Sequence, residues 1–186
     1  EGRGARAGGA GRRGCVWGRR PGRVETYERV CELARGDDLA ARFLSMVDPP
    51  KYEAGCSQLA WTGAEPALIR NYDFSPSLLE GVVWRTEWVR PVIGVSECTW
   101  GLLDGMNADG LAVCLAFGGR RIVGKGFGIP LVVRYLLETC ETVAEACETV
   151  STLPVHMTFS LTMVDASGQC ATVHLSPDRD AIVTNE

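Results

Sequence analysis

Glu53-Ala-Gly-Cys-Ser-Gln-Leu-Ala-Trp61, followed by Ala67-Leu-Ile-Arg-Asn-Tyr-Asp-Phe74, is the stretch on which the fold turns. Both parts are short, with apolar residues alternating or clustered between turn formers, and this predicts strands over Ser57 to Trp61 and Ala67 to Tyr72. The same texture continues through Val82 to Val89, Pro91 to Val95, Thr99 to Leu103 and Leu111 to Phe117. Asn107-Ala-Asp-Gly110 between the last two is a hairpin turn in which Gly110 supplies the positive φ. Further on, Phe159 to Val164 and Cys170 to Leu175 flank a second hairpin at Asp165-Ala-Ser-Gly168, and Ala181 to Thr184 begins another strand. Helices interrupt and precede these strands. Pro130 suits a first helical turn ahead of Leu131, Val132, Tyr135 and Leu136, and Thr142-Val-Ala-Glu145 has the form of a capping box that restarts a helix through about Val150. Upstream, Val24 to Val47 reads as two short helices parted by Gly36-Asp-Asp38 and stopped by Asp48-Pro-Pro50. The expected class is α+β, with helices covering one face of a largely antiparallel sheet.

Composition narrows the function classes. A chain of 186 residues, 46% hydrophobic and 23% charged, has room for about one core and is neither fibrous nor wholly disordered. No apolar run approaches the ~20 residues that span a bilayer, and no signal-peptide pattern is present, so no membrane partner and a cytoplasmic location are expected. Eight cysteines with no CxxC pair point to free thiols rather than bridges. Residues 1–24 hold seven Arg against one Glu, a balance of 7 − 1 = +6, which leaves −4 − 6 = −10 on the remainder. Such a Gly/Arg-rich head cannot bury enough apolar surface to order itself, and it reads as a disordered segment. The sharper alternative is an arginine arm for nucleic acid, but the acidic body disfavours polyanions and no nucleic-acid partner is expected.

Several candidates fall away on detail. Gly124-Lys-Gly-Phe-Gly128 is spaced GxGxG rather than GxGxxG and lacks an enclosing βαβ unit, so it reads as a connection that shapes a pocket rim. His156 and His174 stand at no metal-ligand spacing from a cysteine or from each other, so neither a metal nor any other cofactor is expected. Cys140 and Cys147, seven residues apart, fall on one helical face and read as core.

What remains is Gly55-Cys56, Arg70-Asn71-Tyr72-Asp73 and Gly105-Met-Asn107-Ala-Asp-Gly110-Leu, continued by the helical pair with its Thr-x-x-Glu-Ala start and by Met163-Val-Asp-Ala-Ser-Gly168 and Ser176-Pro177. In order and spacing this resembles the N-terminal-nucleophile hydrolases, specifically the branch of acyl-coenzyme A:6-aminopenicillanate acyltransferases and choloylglycine hydrolase relatives known as linear amide C–N hydrolases. The resemblance covers about Asp38 to Asn185. It implies an αββα sandwich, incomplete here at the C-terminus, and a division into the disordered residues 1–24, a helical propeptide-like segment 25–55 and the N-terminal portion of the hydrolase domain at 56–186. It also implies an inactive precursor that cuts itself between Gly55 and Cys56. The physical attraction of that cut is that one residue then carries both a thiol nucleophile and an α-amine base, without any histidine. Glycine before the cysteine is expected to permit a strained, exposed bend.

By resemblance Cys56 is the nucleophile, Asp73 accepts a hydrogen bond from its amine, and Asn107 helps hold the developing oxyanion. Arg70 matches the arginine of the choloylglycine hydrolases, where it can pair with Asp73 or favour the thiolate. Ser160 is a substitute for a second family asparagine. The implied partner is a small N-acyl or acyl-thioester molecule; hydrolase and acyltransferase remain open alternatives, as does a silent relative that only binds acylated ligands. Oligomeric state is open.

Overall fold

The computed structural model describes residues 21–34, 38–51 and 55–185. Helix α1 spans Pro21–Leu33 and α2 spans Asp38–Ser45. Strands β1 (Gly55–Trp61), β2 (Ala67–Asp73), β3 (Val83–Glu87), β4 (Pro91–Glu97), β5 (Gly101–Asn107) and β6 (Ala112–Phe117) follow. Helices α3 (Ile129–Thr139) and α4 (Val143–Ser151) then lead into β7 (Phe159–Val164), β8 (Cys170–Ser176) and β9 (Arg179–Thr184). Most of the expected Gly/Arg head lies outside the described residues, but its last four do not: Pro21 opens α1, a position where its missing N–H costs nothing, so the helical segment starts earlier than expected.

Strands β3 to β9 form one antiparallel sheet in chain order, each paired with its sequence neighbour. Strands β1 and β2 make a separate two-stranded sheet that packs across β6 and β7. Because strand side chains alternate between faces, each central strand serves two layers. One face presents Leu103, Val113, Leu115, Leu161, Met163, Val173 and Leu175 to Val132, Val133, Leu136 and Leu137 of α3 and to Val143, Ala146 and Val150 of α4, all buried in one apolar core. The opposite face carries Asp104, Cys114, Ser160, Thr162 and Thr172 and meets β1–β2, where Thr162 Oγ1 donates to Gln58 Oε1 at 2.8 Å. Helices, large sheet and small sheet therefore stack in the α, β, β order of the sandwich. Among the described residues, no helix is long and apolar enough to cross a membrane.

Two local expectations are corrected. Thr99 does not open a strand: it and Cys98 both have positive φ (70° and 56°) and form the β4–β5 turn, where Glu80 Oε1 accepts from Thr99 N at 2.9 Å. Cys140 and Cys147 do not share a helix. Cys140 is buried at the C-cap of α3, whereas Cys147 lies on α4, which begins only after Thr142 accepts from Glu145 N. The seven described cysteines are free thiols.

Several described residues ahead of Cys56 pack on the domain. Tyr27, Leu44 and Met46 bury themselves against Trp100 and Leu131, and Trp100 Nε1 donates to Leu44 O at 2.9 Å. The glycine loop 124–128 serves as its clasp: Gly126 N donates to Asp48 Oδ1 at 2.8 Å, and Gly128 N donates to Met46 O at 2.7 Å.

Candidate active site

The hairpin β1–β2 sets Gly55 opposite Asp73, Cys56 opposite Tyr72 and Gln58 opposite Arg70. Residues directly opposed in an antiparallel pair point to the same face, so Cys56, Arg70 and Tyr72 all face the large sheet, as their partial burial shows. Arg70 is the hub. Its side chain is only 7% exposed, and three of its N–H groups are used: Nη2 donates to Cys56 Sγ at 3.2 Å, Nη1 to Asp104 Oδ2 at 3.0 Å and Nε to Leu115 O at 3.1 Å. The buried cation thus faces the Asp104 carboxylate on one side and the Cys56 sulfur on another.

Other thiols lack this. Cys114, on the same face, is pushed up to about 12 chiefly by burial, which outweighs the opposing pull of Arg70. Cys98 is likewise pushed up to about 12 by burial and then by Glu97. Both therefore stay protonated in neutral solution, whereas Cys56 has a cation at its sulfur.

Asp73 takes a different place from Arg70's partner. It accepts Asn71 Nδ2 at 2.6 Å, and the carboxylate facing Arg70 is Asp104, which the sequence reading missed; its signal was a lone acid inside the apolar run Gly101-Leu-Leu-Asp104. Asp73 instead lies opposite Gly55. A Cβ placed on Gly55 would stand 3.1 Å from Asp73 Cβ and 3.8 Å from Asp73 Oδ2. This corrects the expected reason for glycine: Gly55 sits in regular strand register rather than at an exposed bend, and what it provides is space for Asp73.

The expectation for Asn107 is also corrected. Asn107 is buried on the helix face, away from Cys56, and its side chain is fully used. Nδ2 donates to Leu137 O at 2.9 Å and Cys140 O at 2.7 Å, while Oδ1 accepts from Asp109 N at 3.1 Å and Leu111 N at 3.0 Å. It closes the β5–β6 turn and caps the end of α3, with no donor left for an oxyanion. Ser160 does share the Cys56 face of the large sheet, where its hydroxyl pairs with His174 Nδ1 at 2.9 Å. Beside Arg70 and Asp104 a groove of about 700 Å³ opens, lined on its apolar side by Leu68, Val83, Ile93 and Met106.

Residues 61–186 match the family model described as acyl-coenzyme A:6-aminopenicillanic acid acyl-transferase, well over half of the chain. The chain belongs to this family. The matched segment contains Arg70, Asp73 and Asp104 and begins five residues after Cys56 (61 − 56). Among solved structures, the penicillin V acylase from Agrobacterium tumefaciens is similar at 20% identity, covering 68% of this chain and 38% of that one with a TM-score of 0.41. A mutant of conjugated bile acid hydrolase from Clostridium perfringens is similar at 15% identity, covering 72% of this chain and 51% of that one with a TM-score of 0.48. The chain thus spans between 38% and 51% of the length of these two structures. No curated protein matches it.

Proposed function

We propose that this family member is the precursor of a cysteine amidohydrolase that acts on linear amide C–N bonds of small N-acyl compounds. The observation that carries the reading is the Arg70 hydrogen bond to Cys56 Sγ, held in place by Asp104 and the Leu115 carbonyl. Cleavage between Gly55 and Cys56 would turn the Cys56 nitrogen into an amine next to the Asp73 carboxylate. That carboxylate orients the amine, the amine takes the thiol proton, and Arg70 balances the charge on sulfur. The thiolate then attacks the acyl carbonyl, the amine returns its proton to the departing nitrogen, and water releases the acid from the acyl-enzyme. If an amine intercepts the acyl-enzyme instead, the same residues make an acyltransferase that accepts acyl thioesters, a reading favoured by the name of the family that the chain belongs to.

The test is acyl trapping on the full-length gene product. Incubation with an N-acyl amide, a rapid acid quench and peptide mass mapping are expected to find the acyl group on the peptide that contains Cys56, and Cys56→Ala removes it. Added amines that divert the acyl group in competition with water select the transferase. Absence of any acyl adduct on Cys56 from either amide or thioester refutes the nucleophile and leaves a silent ligand-binding relative.

A further inference from the structure

Tyr72 faces the same way as Cys56 and covers the guanidinium that reaches the Cys56 sulfur. The Arg70 guanidinium carbon lies 4.4 Å from the centroid of the Tyr72 ring, while Nη2 of the same guanidinium reaches Cys56 Sγ at 3.2 Å. Arg70 therefore has four neighbours: Asp104, the Leu115 carbonyl, the sulfur, and an aromatic face on the side its N–H groups leave open. The ring itself stacks on Phe74, with centroids 5.3 Å apart at 17°. Burial first, then the charge of Glu97, raise the Tyr72 hydroxyl above its ordinary value, so it stays protonated.

We propose that Tyr72 is a positioning residue for the nucleophile: its ring, stacked on Phe74, holds the Arg70 guanidinium against Cys56 Sγ. This rests on the reading of Cys56 as nucleophile. A cation over a partly desolvated aromatic face gains on the order of 1 kcal/mol, and loss of that much changes an equilibrium between held and released guanidinium about fivefold. Asp104 and the Leu115 carbonyl hold the guanidinium from within its plane, whereas the Tyr72 ring covers its face.

The test compares two alkylating reagents at one sulfur. Anionic iodoacetate gains from a guanidinium beside Cys56, whereas neutral iodoacetamide does not, so the ratio of their rates at the Cys56 peptide reports whether Arg70 is in place. General loosening of the fold speeds both reagents and leaves the ratio alone. The iodoacetate preference is expected in the wild type and abolished in Arg70→Gln. Tyr72→Met, which fills the space without a π face, is expected to lower the ratio about fivefold, toward the Arg70→Gln value. Tyr72→Phe, which keeps the face, is expected to stay within about twofold of wild type. A Tyr72→Met ratio equal to wild type overturns the inference alone. A Tyr72→Phe ratio as low as that of Arg70→Gln overturns the role of the ring, and does so even if Tyr72→Met fails to fold. A wild type without iodoacetate preference overturns this inference together with the contact on which the nucleophile reading depends.

Discussion

Arg70 joins Cys56, Asp104 and Leu115 through three hydrogen bonds, and the proposed function rests on it. Replacement of Asp104 by Asn keeps an acceptor but removes the charge that balances Arg70 inside the fold. The expected outcome is slower self-cleavage of the full-length precursor, by about tenfold or more, with the cut still at Gly55. Gly55→Val is expected to be worse, since its side chain would press on Asp73; time courses of precursor loss on a gel check both. Asn107 gives the converse prediction. Asn107→Ala leaves two carbonyls and two N–H groups without their present partner, so it is expected to destabilise the fold by about 2 kcal/mol or more. At a temperature where the variant is folded, its processed form should retain acylation of Cys56. Denaturant melts together with acyl trapping separate this structural role from the oxyanion role that the motif suggested.

At the scale of elements, the β7–β8 turn anchors a helix. Asp165 Oδ1 accepts from Ser167 N, Ser167 Oγ and Gln169 N, and Oδ2 accepts from Val143 N at the start of α4. Burial by itself would raise the Asp165 carboxyl, but these donors outweigh it and hold it below the ordinary range. Its folded value is thus lower than its unfolded value, so the stabilisation is fully present above about pH 4 and disappears as pH falls through the folded value. Asp165→Asn is expected to cost about 1–3 kcal/mol near neutrality. Thermal melts should show that deficit shrinking as the pH is lowered below about 4; a deficit independent of pH contradicts the assignment. The same turn was legible from Asp165-Ala-Ser-Gly168 alone, because its residues act on their own backbone. The β4–β5 turn was not, since two non-glycine residues at positive φ depend on the distant carboxylate of Glu80.

For the whole molecule, the sequence announced layers better than contacts. Alternation and turn residues were enough for the strands and for both helices of the pair, because those signals are local. Which charge meets which is set by how β1–β2 lies across β6 and β7, and no spacing encodes that. Asp104 and Tyr72 were therefore overlooked while Asn107 was overvalued. The same holds for Arg134, a charge inside an apolar helix: it pairs with Glu138 at 3.2 Å, both side chains 1% exposed, and donates to the Trp100 carbonyl. Arg134→Met removes the cation paired with the buried Glu138 carboxylate and is expected to cost about 3–5 kcal/mol, while Arg134→Met with Glu138→Leu recovers most of it. Chemical denaturation of the two variants is the check.

In the proposed function, the Cys56 sulfur is activated at a newly made chain end, beside Asp73 and against Arg70. Intact-mass measurement of the full-length gene product, wild type beside Cys56→Ala, is the sharpest test. A wild-type fragment whose first residue is Cys56 is expected, with a single uncut chain in the variant. A wild type that remains uncut, or a Cys56→Ala chain cut at the same bond, contradicts it.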